Sequence, residues 1–193
     1  KGALEIALVG DIDENVAFAL VAKTFGALPP REPAFRDYPE ARKRTFTDKR
    51  TVSIVRHTGD PSQAIVRVVW PTRDDADPVE AMQFELLERV MRLELTDGIR
   101  EKLGKSYSPS ASSSLSKTYS GYGSFSITAS VNASDVAATR EAIASIVRTL
   151  RDRPINDDAL ARAKAPLLEE YANLLKRNAG WLALADRAQS EAD

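Results

Sequence analysis

The sequence predicts an α+β fold, a two-layer domain in which a mostly antiparallel sheet is covered by helices on one face. Three observations point there. Strand-like and helix-like segments come in runs rather than in strict alternation. Several helices open on residues that can cap them. From Gly121 to Asn132, Phe125, Ile127, Ala129 and Val131 alternate with Ser124, Ser126, Thr128 and Ser130, which gives a strand one apolar face and one hydroxyl face. The predicted order is β-α-β-β-α-β-β-α-α-α.

Each element has its own local reason. Ala3 to Val9 is an apolar run closed by Gly10-Asp11, the pattern of a buried strand and a turn. Asp13 then caps a helix bearing Val16, Phe18, Leu20, Val21 and Phe25 and stopping at Gly26. Residues 27–44 carry Pro29, Pro30, Pro33 and Pro39 among charges and read as an internal proline-rich connector. Arg50 to His57 and Ala64 to Trp70 read as a hairpin turned by Thr58-Gly59-Asp60-Pro61. Asp77-Pro78-Val79-Glu80 combines an N-cap, a first-turn proline and a first-turn acid, and opens a helix reaching Leu103 with Gly104 as its stop. Lys105 to Lys117 and Gly121 to Asn132 are the next two strands. Helices follow at Ser134 to Arg151, from Asn156 or Asp157 to Asn178, and from Gly180 to about Ala192.

Composition excludes several classes of function. Length 193 suits a single domain, 1–193, and is ample for a continuous core. Lys and Arg total 27 against 28 acidic residues, so no net field draws the chain to nucleic acid or an anionic membrane. Cysteine is absent, which removes disulfides, thiolate nucleophiles and Cys-ligated zinc. No stretch approaches the roughly 18 consecutive apolar residues of a membrane-spanning helix. The chain opens without Met and enters a strand at once, so we expect a fragment of a longer protein.

Several local patterns carry no chemistry. Gly104-Lys105-Ser106 resembles the end of a phosphate loop, but Gly98 stands one residue too far away, and a helix leads into the motif where a strand is needed. Ser114-Leu115-Ser116-Lys117 matches S-x-x-K on a strand, where the lysine is not one helical turn from the serine. Asp74-Asp75 and Asp157-Asp158 flank helix starts, where acids suit the dipole, and Glu169-Glu170 reads as a solvated face. Trp181 lacks the basic aromatic surroundings of a base-stacking site. His57, at a strand end beside a turn, reads as a surface residue and receives no role.

The order of elements, the opening "LVGDID", the "FGALPP" helix exit and "REKLGKSYSPSASSS" together resemble the C-terminal, non-zinc domain of the insulinase/pitrilysin family of zinc metallopeptidases. Nearly the whole chain is covered. The resemblance leans toward bacterial periplasmic members of the PQQ-cluster type, which implies an exported parent. It also implies that a helix-end arginine and a tyrosine seven residues later reach into the active site of a partner domain, and Arg100 and Tyr107 match that spacing and setting.

The implied chemistry suits those residue types. Attack of water on a peptide carbonyl builds charge on the carbonyl oxygen, and the Tyr107 phenol is the candidate to stabilise that oxyanion. Arg100 offers permanently charged donors for a substrate carbonyl or carboxylate. The hydroxyl-rich strands would line a wet chamber, and an exposed strand edge would hold unfolded peptide by main-chain pairing. The family's Zn²⁺ is held by an inverted H-x-x-E-H helix and a later Glu. With one histidine, this segment holds no such site and is expected to be inactive alone. The implied partners are a zinc-bearing homologous domain, of the same chain or another subunit, and a peptide substrate, with no nucleic acid and no membrane insertion. Two alternatives stand: a non-catalytic scaffold domain of the same fold, and an unrelated α+β binding module in which Arg100 and Tyr107 are an ordinary helix-end cation and a strand aromatic.

Overall fold

The computed structural model describes residues 2–103 and 109–185, with backbone alone at 100–103. The chain divides into two compact units, one of 2–39 with 168–185, the other Glu40–Leu167.

The larger unit is built on a three-stranded sheet of β1 (Gln63–Thr72), β2 (Ser110–Leu115) and β3 (Gly123–Asn132) in the order β1-β3-β2. Both pairings are antiparallel, with Val68 opposite Ile127 and Ala111 opposite the same residue from the other side. The period-two pattern of β3 is realised: Phe125, Ile127, Ala129 and Val131 are all buried on one face. Against that face pack α2 (Pro78–Leu103) and α3 (Val136–Asp152). On α3, Thr139, Ala142, Ile143 and Ile146 are the buried residues, an i, i+3, i+4, i+7 stripe. Met91, Leu95 and Ile99 of α2 complete the core with Val66 and Ala111. Burial of side chains such as Leu95 and Ile127, both fully enclosed, contributes on the order of 1.5–3 kcal/mol each. The architecture is therefore α+β, with helices on one face of an antiparallel sheet.

Local chemistry explains the helix starts. Asp77 accepts from the Val79 and Glu80 N–H groups at 2.8 and 3.2 Å, so the predicted cap of α2 forms. Asn156, rather than Asp157, caps α4 (Asp157–Leu174), accepting from the Asp158 N–H at 2.8 Å. Pro166 sits inside α4 without ending it.

The smaller unit contains α1 (Glu14–Thr24), the last turns of α4 and α5 (Asn178–Ala185). Asp13 caps α1 as predicted, accepting from the Val16 N–H at 3.1 Å. No residue of α1 is buried, and Phe18 is 73% exposed. Trp181 Nε1 donates to the Leu175 carbonyl at 2.8 Å and closes the turn between α4 and α5. That turn ends α4 at Leu174, four residues short of the predicted Asn178.

Two predicted strands carry no ladder. Residues 3–9 and 50–57 lack strand pairing, so the described order is α-β-α-β-β-α-α-α. An apolar run specifies that a segment can be buried, but a strand also needs a neighbour whose amides face it. Leu4 and Leu8 are exposed, as are Val52, Ile54 and Val55. The stop at Gly104, the strand start from Lys105 to Ser108 and the helix beyond Ala185 lie outside the described residues.

Candidate functional site

The backbone of Arg100 lies in the last helical turns of α2, where the sequence predicts it; its side chain lies outside the description, and Tyr107 lies outside the described residues altogether. What the structure defines is the platform on either side. On the N-terminal side, Ile99 is 1% exposed and locks into the core. Gly98 lets α2 approach α3 closely: a Cβ there would stand 2.8 Å from Ile146 Cδ1, below any real contact distance. On the C-terminal side, Pro109 is buried and β2 begins at Ser110.

A residue that the sequence did not single out ties these sides together. Glu88 of α2 accepts from both the Ser113 backbone N–H and the Ser113 hydroxyl at 2.5 Å, in part-buried surroundings. Among the described residues β2 pairs with β3 alone, so this carboxylate occupies an amide of the β2 edge. A glutamate in mid-helix looks like any solvated charge, and nothing local in the sequence marks it.

The hydroxyl face of the sheet is drier at its centre than the wet chamber expected from the sequence. Ser126 is 6% exposed, and its hydroxyl lies 3.1 Å from that of Ser112. Ser110 Oγ donates to the Thr128 carbonyl at 3.4 Å. These hydroxyls satisfy the sheet itself at those positions.

At the far end of the strands, the turn between β2 and β3 is held by charges and rings. Asp74 accepts from the Gly121 N–H at 2.5 Å and the Ala76 N–H at 3.2 Å. Those bonds, Gly121 first, hold its carboxyl below the ordinary value of 3.8. Gly121 has φ +65°, the left-handed region where glycine is at ease. Phe46 stacks on Tyr122 with centroids 4.2 Å apart, and Arg44 lies over Tyr119 and Tyr122 at 5.1 Å from each ring. Arg42 Nε donates to the Thr118 carbonyl at 2.7 Å.

His57 is engaged within its own turn: Nε2 lies 3.2 Å from the Gln63 carbonyl, and Nδ1 accepts from the Gly59 N–H at 3.0 Å. Among the described residues no three His, Cys, Asp or Glu side chains come together as a metal site. No helix among them is long and apolar enough to cross a membrane.

A helix-covered antiparallel sheet without a metal cluster among its described residues is the setting in which the comparisons with known proteins fall. A family model described as the peptidase M16 inactive domain matches residues 2–167, and the chain belongs to that family. It is thus a peptidase-family domain of the kind described as inactive. The search of curated proteins finds no match.

Proposed function

We propose that this chain is the substrate-binding domain of a zinc-dependent endopeptidase, completing a composite active site with an H-x-x-E-H domain of the same protein or of a partner subunit. The single observation that carries the reading is membership of a peptidase family through a domain described as inactive. A domain with no metal cluster among its described residues contributes to proteolysis through what it holds and orients. Zn²⁺ held by the H-x-x-E-H residues of the other domain would supply the Lewis-acid chemistry that activates water against a peptide carbonyl. Arg100, on a helix end anchored by Ile99 and Gly98, donates to a substrate carbonyl or terminal carboxylate and fixes the chain's direction. Tyr107 donates its phenolic O–H to the developing oxyanion. The likeness to PQQ-cluster-type members would place the parent in the periplasm.

The test is peptide hydrolysis by the zinc-loaded assembly of both domains. Tyr107→Phe lowers kcat by about 10²-fold, the cost of one oxyanion donor, while KM holds. Arg100→Ala raises KM. Unchanged kinetics in both variants would sink the site assignment and favour the second reading, a non-catalytic scaffold domain, which the description as inactive also accommodates.

A further inference from the structure

Beside β1 lies a groove that the chain partly covers with its own residues. Among the described residues β1 is paired on one side only, with β3. Along its other edge runs a cavity of about 940 Å³, walled by β1, by the start of α3 and by a strap formed of residues 46–57. The strap makes no strand pairing, yet it is fastened at both ends. At one end Phe46 stacks on Tyr122. At the other, His57 bonds to Gln63, the first residue of β1, and to Gly59. Between them, the Lys49 N–H and the Arg50 guanidinium donate to Thr47, inside the strap itself.

The His57 fastening exists in one protonation state. A backbone N–H only donates, so the Gly59 amide, 3.0 Å from Nδ1, requires that nitrogen to be a bare acceptor. A carbonyl only accepts, so Nε2, 3.2 Å from the Gln63 oxygen, carries the proton. Both contacts select the same neutral tautomer. Protonating the ring puts a hydrogen on Nδ1 opposite the Gly59 N–H, two donors face each other, and that bond is lost. The surrounding charges add to the effect. Lys49, Arg50 and Arg56 of the strap, Arg67 of β1 and Arg140 of α3 all line the groove; Asp48 belongs to the strap without lining it, and no carboxylate lines it among the described residues. A charged His57 is a further cation on that lining and sets the strap against β1 and α3. Asp60, in the same turn, lies close enough to interact with the ring's charge. Its carboxylate accepts from the Ser62 N–H and hydroxyl at 2.8 and 2.7 Å, bonds that hold it below the ordinary value of 3.8 and so ionised while histidine titrates. A positive ring gains Asp60 as a partner in place of Gly59.

We propose that His57 is a pH-sensitive latch: neutral, it holds the strap 46–57 over the β1 groove, and protonated, it lets the strap swing out on its Phe46 end. The rest of the turn stays in place, because the Ser62 carbonyl accepts from the Ala133 N–H at 2.8 Å and the Gln63 N–H donates to the Asp60 carbonyl at 3.1 Å. Acid thus opens the groove without unfolding the sheet. The device uses neither Arg100 nor Tyr107, so its test is separate from that of the composite-site reading.

The experiment is magnetic resonance on the isotope-labelled chain between about pH 8 and pH 5, the range in which histidine changes charge. His57 is the only histidine and cysteine is absent, so the ring signals are unambiguous and spin labels enter only at engineered cysteines. At the high end, the ring nitrogen shifts should place the proton on Nε2, and a scalar coupling should pass through the hydrogen bond between Nδ1 and the Gly59 nitrogen. At the low end that coupling should vanish. Ser53 and Ile65 both line the groove, one on the strap and one on β1. Labels on Ser53→Cys and Ile65→Cys should move apart by several ångströms with the midpoint of the ring titration, while circular dichroism stays constant. His57→Gln, which offers a donor and an acceptor but takes up no proton, should make that distance independent of pH. A proton on Nδ1 at the high end overturns the latch geometry, and a fixed label distance in the parent chain overturns release of the strap. An equal pH response in His57→Gln overturns the role of His57, and loss of circular dichroism across the range overturns a local opening.

Discussion

The two edges of the sheet meet different fates. The β2 edge is approached by α2, and Glu88 takes both the amide and the hydroxyl of Ser113. The β1 edge opens on a cation-lined groove in which residues 46–57 run alongside without pairing. A single buried-side carboxylate, placed by a helix, discourages a foreign strand from one edge, whereas the other keeps its template. The difference teaches that what covers the β2 edge at Ser113 is a side chain of the neighbouring helix α2 and not a feature of the strand itself.

The comparison can be broken outright at the strand both edges share. Ile127 of β3, fully buried and flanked by Val68 of β1 and Ala111 of β2, is that point, and Ile127→Ala should cost about 2–5 kcal/mol, read as a lower urea midpoint, with amides of both edge strands exchanging faster together. Faster exchange at one edge only would mean that the edges do not share a core. A smaller change sharpens the contrast: Glu88→Ala leaves the Ser113 amide without its acceptor and should cost about 1–3 kcal/mol. Exchange should rise at Ser113 and stay put in β1; equal rises would show that Glu88 supports the whole sheet. The smallest effect lies at the turn joining β2 to β3. Asp74 titrates below its unfolded value because its ionised form accepts from Gly121 and Ala76. Its stabilisation is present above the ordinary carboxylate value and is lost as pH falls through the lower folded value. Asp74→Asn should flatten the acid limb of thermal stability slightly without moving stability at neutral pH by more than the lost charge–dipole contacts; an unchanged acid limb would show that the contact contributes nothing.

What the sequence made legible was local. Asp13 and Asp77 cap helices because capping joins a side chain to amides two or three residues on, and β3 reads as a strand because alternation is a property of the segment. The runs at 3–9 and 50–57 have equally good patterns, yet pairing depends on residues distant in the chain, and neither run has a ladder. The α1 apolar residues show a related limit. Val16 and Leu20 share one helical face and Phe18 lies on another, and all three are exposed. Of the candidate site, the sequence located Arg100 on the end of α2, while Tyr107 stays beyond the described residues. Glu88 and the β1 groove were invisible because each arises from the meeting of elements: a helix with a strand edge, and a strand edge with a segment that does not join it.

The close approach at Gly98 also links two distant stretches of the chain. Ile146 Cδ1 occupies the place a side chain at 98 would need, so a Cβ added there has to turn the tip of Ile146 aside. Residues 48 apart in the chain (146 less 98) thereby trade space at one helix contact, two residues before the arginine at the end of the helix.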